Sequence, residues 1–431
     1  MTELSKRGAQ NVGIYIGHLP VSLTEVVDDS SWIDLSFAEN YTIRKEALEI
    51  FRNAAATEVT GEDFNWPHGF WGEARLLAAL SSLFNTYFAP FEPVENKNIV
   101  LTAGAAGSLD GLAWSLCDPG EGILVPCPYH AGAYEVFLSI HTGIVPIPVG
   151  VGNLDDVFGE GMIPTLEMGL RNAPVPVKAM VVTNPHNPLG RCYSKQNLIE
   201  LMQFCQRHNL HLISDEVFAL SEHGCSDLRQ PRKFTSALAI DAAAHGCDAS
   251  KIHVIWSMSK DLGATGARLG CVVTRSKDVR DSIALVAHTN VSNLSILFAR
   301  ALLTSPRLHT IIQLNSSRLA TAFARIRAFF EANSIEYLPC EVTTFVLARL
   351  APYTQTRDDE KTAVAFYQKA GVLFFSAADY HMPSDFKGWM RVSFAVEPER
   401  LDMAIDRLKA AYEIYIARSQ TISLGHYIDN V

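Results

Sequence analysis

A chain of 431 residues is too long for one small hydrophobic core and predicts two units, or one large unit with an elaboration. Hydrophobic residues make up 48% and charged residues 19%, an ordinary folded composition that excludes a disordered chain. The formal net charge of −10 excludes nucleic acid and an anionic membrane surface as main partners, because both need a basic footprint.

The eight cysteines (117, 127, 192, 205, 225, 247, 271 and 340) are scattered and form no C-x-x-C pair. They read as free thiols in a reducing compartment. The first ten residues, MTELSKRGAQ, lack the apolar core of a signal peptide, and no apolar run is long enough to span a bilayer. The expected location is cytoplasmic.

From residue 98 the chain alternates short apolar runs with helical patterns. The runs are NIVLTAG (98–104), GILVPCP (122–128), GIVPIPV (143–149), VKAMVVTNP (177–185), LHLISDE (210–216), IHVIWSMS (252–259) and LGCVVT (269–274). Near-continuous apolarity predicts strands buried on both faces. Intervening stretches such as SKQNLIELMQFCQRHN (194–209) carry apolar residues at helical spacing. The pattern predicts an α/β fold, a mostly parallel sheet covered by helices. After residue 300 come a long amphipathic helix, strand candidates at 343–350, 371–376 and 389–395, and a last helix. These predict a smaller α+β domain. The expected division is a segment 1–60 packing on the small domain, a large domain 61–300 and a small domain 301–431.

In parallel α/β sheets ligands bind beyond the carboxyl ends of the strands. Five apolar runs end there in polar residues: AGAAGS (103–108), CPYH (127–130), NPHNPLG (184–190), Asp215-Glu216 and SMSK (257–260). Alone, Lys260 reads as a surface lysine in a turn, and Asp215 as a helix cap. Together they read differently. A desolvated lysine near a cation loses its proton and can attack a carbonyl. Arg268, Ser257 and the amides of a helix start make a phosphate socket. Asp215, ending a buried strand, needs a partner such as a protonated ring nitrogen. No Walker motif and no G-x-G-x-x-G is present.

At these residues the chain resembles the fold type I pyridoxal-phosphate enzymes, class I/II aminotransferases, nearest the aminocyclopropane-carboxylate synthase-like branch. The resemblance rests on S-x-S-K-x-x-G-x-x-G-x-R-x-G (257–270), N-P-x-N-P-x-G (184–190) and D-E-V (215–217). AEN (38–40), TAGAAGSLD (102–110), DPGEGILVPCPYH (118–130) and WMRVSFA (389–395) carry the synthase-like part. It implies pyridoxal 5'-phosphate bound covalently by Lys260, which also shuttles the α-proton. It implies Asp215 at the pyridine nitrogen and Asn187 at the ring oxygen. The phosphate would be gripped by Arg268, Ser257, Ser259 and the backbone of Ala105 and Ala106. His130, or else Tyr129, would stack on the ring. Arg391 would clamp the carboxylate of an amino acid substrate, with Glu39 in the substrate pocket. A homodimer with shared sites is also implied.

Two positions depart from the family pattern. Phe218 stands where relatives have a tyrosine that donates to the ring oxygen. FNWPHGFWGE (64–73) lacks the tyrosine that reaches the partner's phosphate, leaving Trp66 or Trp71 as the donor, or as core aromatics. His68, His186 and His381 lie near site loops without metal-ligand spacing, so no metal is expected. Three readings follow. The first is a lyase that removes the α-proton and eliminates a β- or γ-leaving group, a sulfur one such as sulfonium or thioether. The second is an aminotransferase. The third is a non-catalytic protein that senses the cofactor.

Overall fold

A computed structural model describes residues 4–18, 32–66, 69–139, 142–224 and 232–428. Helix α1 (Lys6–His18) is followed by β1 (Ile33–Asp34), α2 (Arg44–Thr57) and α3 (Ala74–Tyr87). Strands and helices then alternate: β2 (Ile99–Thr102), α4 (Gly104–Leu116), β3 (Gly122–Pro126), α5 (Ala131–Ser139), β4 (Val145–Val149), α6 (Met162–Arg171), β5 (Val177–Thr183), α7 (Lys195–Arg207) and β6 (His211–Asp215). Next come β7 (Ile252–Ser257), α8 (Met258–Asp261), β8 (Gly270–Thr274), α9 (Lys277–Ala287), α10 (Asn293–Leu303) and α11 (Leu308–Ala332). The chain continues through β9 (Phe345–Ala348), α12 (Arg357–Lys369), β10 (Val372–Leu373), β11 (Phe375–Ser376), β12 (Met390–Ser393) and α13 (Pro398–Ile428). Among the described residues no helix is long and apolar enough to cross a membrane.

Strands β2 to β8 form one sheet in the order β2-β8-β7-β6-β5-β3-β4. Neighbours run parallel except at β8, which is antiparallel to both β7 and β2. Successive side chains enter opposite cores, as strand alternation requires. Leu124, Met180, Val182 and Val254 pack in one, and Ile123, Ala179, Val181 and Ile255 in the other. Burial on both faces is why these strands read as unbroken apolar runs. Between them α7 begins at a capping box, with the Ser194 side chain accepting from the Asn197 amide. Its inner face buries Leu198, Leu201, Met202 and Cys205.

A third core joins Ile33, Leu35, Phe323, Phe330, Tyr367, Val392 and Leu408. Strand β1 pairs in parallel with β10 here, whereas α2 packs on α10 of the large unit, with Phe51 stacked on Phe298 at 5.0 Å. The segment 1–60 is therefore shared between the units. Helix α11 likewise serves both, with Ile311 in a core of the large sheet and Phe323 in the small one. The apolar run 371–376 does not form one strand. It breaks at buried Phe374, because β10 bonds to β1 while β11 bonds antiparallel to β12 in a different sheet.

Candidate active site

The carboxyl ends of β5, β6 and β7, the start of α4 and the turn before α5 face a cavity of about 830 Å³. Lys260, Asp215, Asn187, Arg268, Ser257, Ser259, Ala105, Ala106, His130, Phe218 and Arg391 all line it. Two candidates do not. Tyr129 turns away from the cavity that His130 lines, is 2% exposed, and donates its hydroxyl to Glu135 Oε1 at 2.7 Å. Consecutive residues in extended chain point opposite ways, so only one of the pair can face the cavity. Glu39 is paired with Arg44 at 2.9 Å, and it reaches the site through its charge alone.

Burial pushes the Lys260 ammonium down to about 8, assisted by the positive charge of Arg391 and, less strongly, Arg268. Glu39 and Asp215 pull the other way. The backbone oxygen of Lys260 accepts from Asn40 Nδ2 at 3.0 Å, and Asn40 Nδ2 also donates to Asn315 Oδ1 on α11 at 2.8 Å. Next to it, Asp261 accepts from Ser221 Oγ at 2.7 Å and Trp256 Nε1 at 2.9 Å. The lysine is thus held from below by a buried polar network.

Asp215 is 7% exposed. Burial raises its pKa to about 6, against the hydrogen bond from Tyr134. Tyr134 Oη donates to Oδ2 at 2.8 Å, while Oδ1 is buried without a hydrogen-bond partner. Burial, together with the charges of Arg391 and Lys260, drops the His130 imidazole to about 3, leaving a neutral ring beside Phe375 and Tyr380.

At the other end of the cavity, α4 opens on Gly104 with φ +74°, a conformation that favours glycine. A Cβ there would meet Arg268 Nη2 at 2.9 Å, so the missing side chain lets the guanidinium approach the helix start. Gly270 serves the same junction, since its Cβ would lie 2.8 Å from the Gly104 carbonyl carbon. Arg268 itself has φ +51°. Left-handed backbone at a non-glycine residue is strained and collects at ligand sites. Its Nη2 donates to Ala103 O at 3.1 Å and its Nη1 to Thr265 O at 3.1 Å. With the hydroxyls of Ser257 and Ser259, 2.9 Å apart, these groups form a cradle suited to an anion.

Arg391, 1% exposed on β12, projects between the rings of Phe345 and Tyr380, 4.5 and 5.0 Å from their centroids. It donates to Asn187 Oδ1 at 2.9 Å and to Ser36 O, and its Nε is buried without a partner. Among the polar lining residues, Tyr134, Glu135, Ser139, Thr183 and Thr265 had no place in the reading of the sequence, whereas Asp379 belongs to a stretch, DYHMP (379–383), that the sequence places at the substrate entrance. In that stretch His381 pairs with Glu135 at 2.7 Å. Thr265 falls inside the lysine motif. Nothing in the spacing distinguished Tyr134 from an ordinary helix aromatic. Trp66 and Trp71 are not core residues, being 66% and 36% exposed. Trp71 Nε1 is already committed to Asp281 at 2.9 Å, and its ring lies under Arg280. His186 is buried against Phe158 and Tyr193, and His68 lies outside the described residues.

Residues 32–408 match the family described as aminotransferase class I and II. The chain belongs to this family. It is 38% identical over 408 residues to "Probable aminotransferase aclI" of Aspergillus oryzae, covering 94% of this chain and 97% of the relative. It is 29% identical to 1-aminocyclopropane-1-carboxylate synthase 6 of Arabidopsis thaliana, over 74% of this chain and 63% of that protein. The fold is that of an aspartate aminotransferase variant from Thermus thermophilus, at TM-score 0.73 and 19% identity, covering 95% of this chain and all of that one. Class I and II aminotransferases depend on pyridoxal phosphate, and this member of the family is a pyridoxal-phosphate-dependent enzyme. Its residues fit that group: an amine of lowered pKa, an orphaned carboxylate oxygen and a cationic helix-start cradle face one cavity.

Proposed function

We propose that the enzyme is a lyase that deprotonates an amino acid at Cα and eliminates a sulfur substituent from its side chain, as a carbon–sulfur lyase does. Bound pyridoxal phosphate supplies the electron-withdrawing ring that makes a carbanion at Cα accessible. In this reading Lys260 anchors the cofactor and takes the α-proton, its basicity lowered by burial and Arg391. Arg391 holds the α-carboxylate with its rigid fork, replacing its contact to Asn187 in part. Asp215 holds the ring nitrogen, Asn187 the ring oxygen, and His130 stacks on the ring. The backbone of Ala105 and Ala106, Ser257, Ser259 and Arg268 hold the phosphate.

The observation that carries elimination of sulfur is the composition of the remaining wall. Beyond these groups the cavity is bounded by the apolar Phe37, Leu109, Val136, Phe137 and Phe375, with Ser139 and the carboxylates of Glu135 and Asp379 as the polar part of the wall. The three cations on the lining, Lys260, Arg268 and Arg391, are all assigned. An anionic leaving group such as phosphate has no counter-charge left among the described lining residues. An apolar thioether fits, and a thiol with pKa near 8.5 departs readily as thiolate. Incubation of the holoenzyme with S-substituted cysteines is expected to release thiol, ammonia and 2-oxo acid in equal amounts without an amino acceptor.

Transamination is the second reading, favoured by the names of relatives such as "Aminotransferase verI" of Clonostachys rogersoniana, 30% identical over 93% of this chain. It predicts 2-oxo acid formation that depends on an added acceptor, with no thiol. A homodimer is part of the proposal. Phe64, Trp66 and Phe70 are 77%, 66% and 58% exposed, an aromatic surface that a second copy would cover. Light scattering at the working concentration tests it.

A further inference from the structure

The Asp215 carboxylate is approached from one side by a hydroxyl pair that the reaction itself does not use. Thr183 and Asp215 are register partners at the ends of the parallel strands β5 and β6. Tyr134, one turn into α5 and 3% exposed, spans both. Its Oη lies 2.6 Å from Thr183 Oγ1 and donates to Asp215 Oδ2 at 2.8 Å. A tyrosine hydroxyl has one proton. With that proton on the carboxylate, Thr183 must be the donor in the other contact, so the order is Thr183 to Tyr134 to Asp215.

We infer that Tyr134 is a positioning residue: it saturates Oδ2 and leaves Oδ1, buried and without a hydrogen-bond partner, as the oxygen that meets the cofactor's ring nitrogen. Three features of the site support this. Tyr134 lines the cavity, and its single proton is committed to Asp215 Oδ2, which leaves none to donate to a substrate. Its donation favours the carboxylate over the carboxylic acid, and only the carboxylate keeps a ring nitrogen protonated. Finally, α5 starts directly after His130, so the helix that places the ring-facing imidazole also places the hydroxyl behind the ring-nitrogen carboxylate. Phe218, by contrast, offers no hydroxyl.

The inference rests on Asp215 as partner of the ring nitrogen and not on the fate of the substrate. Its test uses the holoenzyme without amino acid, reconstituted with cofactor labelled with ¹⁵N in the ring. In Tyr134→Phe the cofactor dissociation constant is expected to rise about 10-fold or more, as for loss of a hydrogen bond to a charged group. The ¹⁵N resonance is expected to move toward that of an unprotonated ring. With substrate, kcat falls while KM stays within about twofold. Thr183→Val, which keeps Tyr134, is expected to show smaller changes in the same direction and serves if Tyr134→Phe does not fold. A weakened affinity with an unmoved resonance, or no change in either, would overturn the inference. An unprotonated nitrogen in the wild type would overturn the assignment of Asp215 itself, and the inference with it.

Discussion

Arg391 on β12 and Asn187 in the turn after β5 meet across the two units, Nη1 to Oδ1 at 2.9 Å. The contact ties the proposed carboxylate clamp to the residue proposed for the ring oxygen. The guanidinium is fixed between two rings and by Ser36 O, so its fork is oriented before substrate arrives.

Arg391→Lys tests that preorganisation. An ammonium cannot give two parallel hydrogen bonds to a carboxylate, and it leaves the Phe345–Tyr380 slot underfilled. KM for the amino acid is expected to rise about 10- to 100-fold, with a smaller loss in kcat. Steady-state kinetics with the best S-substituted cysteine measures it. An unchanged KM would remove Arg391 from substrate binding.

Phe218 is 1% exposed, with its ring edge-on to Phe345 at 5.4 Å. A hydroxyl introduced on this cavity-lining ring adds a donor that favours the deprotonated chromophore. Phe218→Tyr is therefore expected to lower the spectrophotometric pKa of the holoenzyme by about one unit. Titrating the visible absorption of both proteins checks this, and a shift upward or none contradicts it.

The parts of this site that were legible in the sequence are those with a local signature. Lys260 and Arg268 share one short motif with the glycines that admit them, and Asp215 ends an apolar run that the sheet buries. What escaped is set by contacts between distant residues. Tyr134 acquires its role only when α5 packs beside β5 and β6, and Glu39, in the loop before α2, is drawn into a pair with Arg44 at the start of that helix and is absent from the lining. The strand at 371–376 split for the same reason: its two halves bond to strands more than three hundred and about fifteen residues distant, a choice no local pattern encodes. Of the two readings open for Trp66 and Trp71, the core one rests on the usual burial of large aromatics, and their exposure goes against it.

Asn315 connects α11 to the proposed catalytic lysine. Its Oδ1 accepts from Asn40 Nδ2 at 2.8 Å and Thr42 Oγ1 at 2.7 Å, and Asn40 holds the Lys260 carbonyl. Asn315→Leu strands one Asn40 N–H in a buried setting, since the Thr42 hydroxyl still reaches Asn40 Oδ1 at 2.6 Å, a loss of about 1–3 kcal/mol. A lower melting temperature is expected, with kcat reduced more than KM is raised. A variant as stable and as active as the wild type would show that the network does not support Lys260.

Asp215, Glu216 and Asp261 make stability of the cofactor-free enzyme pH-dependent. Burial raises their pKa values from 3.8, 4.5 and 3.8 to about 6, 7 and 7. The folded state then holds protons that the unfolded state has released. Their contribution is fully present below about pH 4 and is lost as pH rises through 6 to 7. For Asp215 the loss is on the order of 3 kcal/mol. His186 and His253, lowered by burial to about 3, act oppositely by destabilising the fold as pH falls below 6.5. They lie away from the cavity lining and affect both forms alike. A protonated ring nitrogen neutralises Asp215 and leaves Glu216 and Asp261 as they were. The difference in melting temperature between holoenzyme and cofactor-free enzyme is therefore expected to widen from pH 5 to pH 7.5. Asp215→Asn should flatten most of that widening, whereas equal widening in both proteins would assign it to another group, such as Lys260.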